Sequence, residues 1–203
     1  NKDQTQLIYY PAGKTEEAYV IPATVTSFSN AFTDTTTLKT VSFEEGTNCE
    51  KVTGFKGCTS LTTVVLPEGI TTIGYEAFSG CTNLTNIVIP ISVVTINING
   101  FLYCSNLIIC CESSSRPNGW NSYWYSNVKN VYWDSLGYVT DNDIEYLIMN
   151  NEAFVTEYNG NASDVVIPSS IIFNNVEYNI TGIYSYVFAE NTNLVNLTMP
   201  DTI

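Results

Sequence analysis

The sequence predicts a β-rich solenoid of short strands joined by turns and short helical turns, because several residue columns keep one 23-residue period. Phe32, Phe55, Phe78 and Phe101 stand 23 residues apart, and so do Leu38, Leu61, Leu84 and Leu107. Cys58, Cys81 and Cys104 follow the same step, as do Val41, Val64 and Ile87. A unit this short cannot bury its own apolar face, so copies of it must stack and share a core.

Residues 61–83 give the unit most completely. Leu61, Val64 and Leu66 have the L-x-x-L-x-L spacing of a leucine-rich-repeat-like strand. Strand side chains alternate, so Val64 and Leu66 point inward while Thr63 and Val65 point outward. Pro67 lacks an N–H for the ladder and ends the strand. Glu68-Gly69 then turns, and Ile70 and Ile73 return to the interior. Glu76-Ala77-Phe78 is expected to form a short helical turn that sets Phe78 on the far side of the core.

The neighbouring copies repeat this order. The first runs through Val20-Ile21-Pro22, Val25, Phe28, Ala31-Phe32 and Leu38, and the second has Glu44 where the others have Pro. The fourth reads Ile87-Val88-Ile89-Pro90, Val93, Ile96, Gly100-Phe101, Cys104 and Leu107. Ala31, Gly54, Ala77 and Gly100 precede the Phe column, and their small size implies close approach of two backbones. After Leu107 the period stops. Residues 111–137, with all three tryptophans, are read as an atypical end unit covering the last open face.

Two strand-like runs, 144–149 and 153–158, flank Asn150-Asn151 and predict a hairpin. Val165-Val166-Ile167-Pro168 restarts the repeat, interrupted by a second hairpin around Asn174-Asn175. Phe188 and Leu194 then restore the six-residue Phe-to-Leu step of the other copies. The domain expectation is therefore a first array over 1–137 (repeats 19–110, cap 111–137) and, over 138–203, a hairpin with the start of a second array. Asp201-Thr202-Ile203 aligns with Glu68-Gly69-Ile70, which leads us to expect a piece of a longer repeat protein.

Composition narrows the function. With 20 acidic and 7 basic residues, the net charge of −13 repels nucleic acid and anionic membranes. No apolar stretch reaches the ~18 residues of a membrane span, so no membrane insertion is expected. The chain has 0 histidines, which removes Ser-His-Asp and Cys-His catalysis and every His-containing zinc site. Cys58, Cys81 and Cys104 are read as buried free thiols, sharing their column with Thr35 and Asn191; Cys49, Cys110 and Cys111 stay unassigned. Asp141-x-Asp143-x-Glu145 lacks the Gly and distal Glu of a calcium loop and is read as a hairpin start. No carboxylate pair has the fixed spacing of an acid and a nucleophile. The chain is thus read as non-enzymatic, with no metal and no cofactor.

The pattern Ile-Pro-x-x-Val-Thr-x-Ile, followed by Ala-Phe-x-x-Cys-x-x-Leu, resembles the BspA-like leucine-rich repeats. Residues 64–84 carry it most completely, and 19–38, 87–107 and 166–197 carry recognisable versions. Tyr10-Pro11-Ala12-Gly13-Lys14, Pro117-Asn118-Gly119-Trp120 and Val131-Tyr132-Trp133 are also similar to that family's flanking segments. The resemblance implies an extracellular or cell-surface protein of host-associated bacteria or protists that binds host proteins or other cells. It carries over no catalytic residues.

The expected activity is recognition or adhesion, with a host or cell-surface protein or glycan as partner. The candidate ligand face is the outward strand columns Thr40 and Ser42, Thr63 and Val65, Asn86 and Val88. A second candidate is an aromatic patch of Trp120, Tyr123 and Trp124, which would stack on sugar rings or, alternatively, seal the last repeat. Two further readings stay open at this point: a structural spacer in a long surface protein, and a glycan-binding accessory domain.

Overall fold

The computed structural model describes residues 3–11 and 13–203; Ala12 of the Tyr10–Lys14 segment lies outside the described residues. The chain forms two compact units, Asn1–Trp133 and Asp134–Ile203.

The first unit is a stack of three-sided coils. One side is a six-stranded parallel sheet whose strands are Ala18–Ile21, Thr40–Phe43, Thr63–Val64, Asn86–Ile89, Ile108–Cys111 and Asn130–Trp133, in that order. The second side is a short parallel ladder of Lys51–Val52, Thr72–Ile73 and Thr95–Ile96. The third consists of turns around the Phe column, ending in one short parallel pair, Phe101–Leu102 with Tyr125–Ser126. Alternation puts Val41, Val64, Ile87 and Ile109 inside, where they meet Leu38, Leu61, Leu84 and Leu107 in one continuous core.

On the third side the expected helical turn does not form, and no helix occurs among the described residues. Glu76 is left-handed at φ 49°, which breaks any helix before Phe78. Single i→i+3 bonds replace it, from Ala77 N to Gly74 O and from Ser79 N to Glu76 O. The amides of the Phe column instead donate to the next coil: Phe32 to Gly54 O at 3.1 Å, Phe55 to Ala77 O at 2.9 Å and Phe78 to Gly100 O at 2.8 Å. These bonds pull adjacent backbones together. A Cβ on Gly54, itself at φ +86°, would stand 2.7 Å from Asn30 N, which accounts for the small residue at that position.

Inside the turns the Phe rings form a stack. Centroids of Phe32, Phe55, Phe78 and Phe101 are 4.8, 5.3 and 5.3 Å apart, with interplanar angles of 11°, 2° and 6°. Trp124, one further period along, meets Phe101 edge-on at 6.0 Å and ends the stack. Glu44, the departure from Pro, also has a local cause: its carboxylate accepts from Ala23 N at 2.8 Å in the preceding coil. Glu112 does the same for Ile91 N at 2.8 Å. Where the column lacks Pro, an acid caps the neighbouring turn.

The second unit holds a five-stranded sheet in the order Ser135–Asp141, Ile144–Met149, Glu152–Tyr158, Val176–Ile183, Ser170–Phe173. Both predicted hairpins are present, with Asn150 and Asn151 at φ 51° and 62° and Asn174 and Asn175 at φ 49° and 62°. These left-handed pairs suit two-residue hairpin loops, and Asn tolerates them. Asn142 and Asp143, at φ 48° and 64°, make a third such loop, so Asp143 turns a hairpin. The strand Ser135–Asp141 starts inside the segment read as cap. Its Gly137 makes room for Phe173, whose Cζ lies 2.2 Å from where a Cβ would stand. A parallel pair, Asp164–Val166 with Asn196–Thr198, continues the coil pattern. Tyr146, Ile148, Val155 and Ile180 form this unit's own core.

Candidate recognition faces

The sheet side of the first unit presents its outward residues in register. Thr40 stands opposite Thr63, and Thr63 opposite Asn86. Ser42, Val65 and Val88 form the parallel column two residues on. Thr63, Val65 and Asn86 are exposed, whereas Thr40, Ser42 and Val88 are half-buried. The columns continue to Ile108 and Cys110, both buried, so the exposed part spans the strands from Ala18–Ile21 to Asn86–Ile89. The Lys39–Glu17 ion pair, at 2.7 Å, borders it. Hydroxyls, one amide and valine methyls on the sheet offer hydrogen bonds and modest apolar contact.

The three aromatic-patch residues are split. Trp120 and Trp124 are 3% and 1% exposed and belong to the core, while Tyr123 is 71% exposed. Trp120 Nε1 donates to Val93 O at 3.1 Å, and the two indoles pack at 4.9 Å. Both indoles therefore close the stack, and neither offers a face for sugar stacking. One signal pointed there: a single period from Phe101 lands on Trp124.

A feature the sequence reading missed lies on the turn side. Tyr75, Ile98 and Tyr123 are exposed on successive rungs, linked by bonds from Glu76 N to Ile98 O at 3.4 Å and from Asn99 N to Tyr123 O at 2.8 Å. Tyr75 and Ile98 are one period apart, so this fifth column was also legible. Beside Tyr75 an open cleft of about 480 Å³ is bordered by Asn30, Asp34, Lys56 and Glu76. Lys56 Nζ and Glu76 Oε2 pair at 2.5 Å. That hydrogen bond holds the Glu76 carboxyl below its ordinary range and raises the Lys56 ammonium. In the second unit a larger cleft of about 640 Å³ opens between the segment 156–161 and the turn 185–191.

The cysteine column is internal. Cys58, Cys81 and Cys104 are buried free thiols. Their Sγ atoms donate to Phe32 O, Phe55 O and Phe78 O of the preceding coil at 3.0, 3.1 and 3.0 Å. Asn191, in the same column, donates its amide to Gly160 O at 3.4 Å. The column thus selects a small donor. Burial pushes the Cys58 thiol up to about 12 and the Cys104 thiol up to about 11, far from a reactive thiolate. Among the described residues no group of three or more His, Cys, Asp or Glu is placed to hold a metal ion.

With that geometry in hand, the signature of the BspA type leucine rich repeat region matches residues 13–132 and 149–203, in 6 copies. The chain belongs to the BspA-type leucine-rich-repeat family. No curated protein matches it. Among solved structures, this BspA-type chain is similar to the pneumococcal vaccine antigen PcpA, at 21% identity over 98% of this chain and 45% of that one, with a TM-score of 0.54. It is also similar to a leucine rich cell surface protein from Faecalibacterium prausnitzii A2-165, at 22% identity over 92% of this chain and 55% of that one, with a TM-score of 0.45. The chain spans about half the length of these two proteins. The PcpA likeness shows the fold.

Proposed function

We propose that this chain is a non-enzymatic recognition or adhesion segment of a secreted or cell-surface protein, binding a host or cell-surface protein or glycan through its exposed strand face. The observation that carries the reading is the in-register pair of columns, Thr40-Thr63-Asn86 and Ser42-Val65-Val88. Backbone hydrogen bonding between coils leaves these side chains facing outward on a rigid sheet, which lowers the ordering cost of binding. BspA-type membership supports the surface location. The burial of Trp120 and Trp124 weighs against the aromatic cap as the contact point.

Screening the 203-residue protein against immobilised matrix proteins, cell-surface preparations and a glycan array tests the reading. Binding that survives in Thr71→Ala and is lost in the double variant Thr63→Glu, Val65→Glu is expected. A captured ligand indifferent to that double substitution would refute the strand face, and no ligand in any arm would favour the spacer reading.

A further inference from the structure

The second unit's cleft has the composition of a site for an uncharged polyol. We propose that it binds a neutral saccharide, seated between the Tyr158–Asn161 segment and the turn that carries Tyr186. The inference rests on the recognition reading of the chain, though not on its strand face.

The cleft's volume, about 640 Å³, falls within the range of small-ligand sites and accommodates one or two sugar rings. Its lining is dominated by amides, hydroxyls and carboxylates, including Glu157 and Glu190, and has no Lys or Arg. An anionic ligand would meet two acids and no cation. Sugar hydroxyls, which donate and accept together, suit such a lining.

Two amides on this segment are anchored by side chains outside the cleft. Asn159 Nδ2 donates to Glu145 Oε1 at 2.9 Å, which leaves its Oδ1 to accept. Asn161 Oδ1 accepts from Asn193 Nδ2 at 2.7 Å, and the other half of its amide stays available. Both residues line the cleft, so each has a polar group to offer a ligand's hydroxyls. Asn191 steadies the segment between them through Gly160 O, and its own Oδ1 accepts from the Asn193 and Leu194 amides, both at 2.9 Å. Tyr158 is held by Phe188 at 5.5 Å and by a bond from Ala162 N to its hydroxyl at 3.1 Å. The polar groups are therefore set before any ligand arrives.

Tyr186 supplies the ring. It is 88% exposed, and its left-handed backbone at φ 66° is that of the repeat's own turn, as at Asn30, Glu76 and Asn99. The turn is closed by Ala189 N donating to Tyr186 O at 3.0 Å. The Tyr186 ring borders the cleft and offers an apolar face to a pyranose.

The test uses the isotope-labelled 203-residue protein, titrated with maltose, cellobiose and diacetylchitobiose at millimolar concentrations while amide shifts are followed by NMR. At least one sugar is expected to shift the amides of 159–161 and 185–191. Tyr186→Ala, a surface change, should weaken that binding about tenfold. Asn161→Ala should weaken it as well, and sialyllactose should bind less tightly than lactose. No shift at these amides with any sugar, or unchanged affinity in Tyr186→Ala, overturns the proposal. Shifts confined to 40–42, 63–65 and 86–88 overturn the cleft but leave strand-face recognition standing.

Discussion

Truncating one ring of the Phe stack tests the architecture most directly. Phe78 is fully buried and lies between Phe55 and Phe101, each at 5.3 Å and within 6° of parallel. Phe78→Ala removes the transfer energy of the ring and leaves a cavity, a cost of about 3–5 kcal/mol for a buried Phe. The rigid bonds from Phe55 and Phe78 amides to the following coil limit collapse around the hole, which favours the upper part of that range. For a unit of this size, about 4 kcal/mol lowers the melting temperature by roughly 10 °C. The three tryptophans all lie in the first unit, so indole fluorescence follows its unfolding without interference from the second. Urea and thermal melts of Phe78→Ala, Phe78→Leu and the outward Thr63→Ala form the series. Phe78→Leu should fall between the other two, and Thr63→Ala should stay within about 0.5 kcal/mol of the parent. A Phe78→Ala midpoint equal to that of Thr63→Ala would refute a stack held from within.

Two other outcomes are expected. The thiol pKa values of Cys58 and Cys104 are raised by burial above their ordinary 9.0, so between about pH 9 and pH 11–12 the unfolded chain binds fewer protons than the folded one. Their contribution is full below about pH 9 and is lost as pH rises through that window; the triple variant Cys58→Thr, Cys81→Thr, Cys104→Thr should show a shallower alkaline decline in denaturation midpoints. Gly54→Ala should cost more than Gly69→Ala, by roughly 1–3 kcal/mol in chemical denaturation. Both glycines are left-handed, but only at Gly54 does the new Cβ meet backbone, 2.7 Å from Asn30 N, while Gly69 faces open space.

The core was legible because burial forces the same residue type back to the same place in every coil. Phe78, Leu84, Cys81 and Val64 each recur for that reason, and the Asn pairs at 150–151 and 174–175 announced their hairpins through tolerance of left-handed backbone. What resisted reading was decided by packing partners far away in sequence. Whether Trp124 faced a sugar or a Phe ring depended on Phe101, and whether Glu76 began a helix depended on the carbonyls of the next coil. The strand at Ser135–Asp141 was hidden in the segment read as cap, where Gly137 leaves room for the distant Phe173 ring. The clefts were least legible, since Asn159 gains its direction from Glu145 and Asn161 its position from Asn193. Composition alone gives an amide no direction.

The hydrogen-bonded thiol column bears on where such a chain can live. Unpaired cysteines ordinarily argue for a reducing compartment, because exposed thiolates outside the cell are soon oxidised. Here each thiol is shut inside a coil and occupied by a carbonyl, and ionises only at strongly alkaline pH. Oxidants have little thiolate to attack. These three cysteines, free of disulfides, are then no marker of residence, and an exported protein of this build would need neither a pairing partner nor an isomerase to keep the column intact.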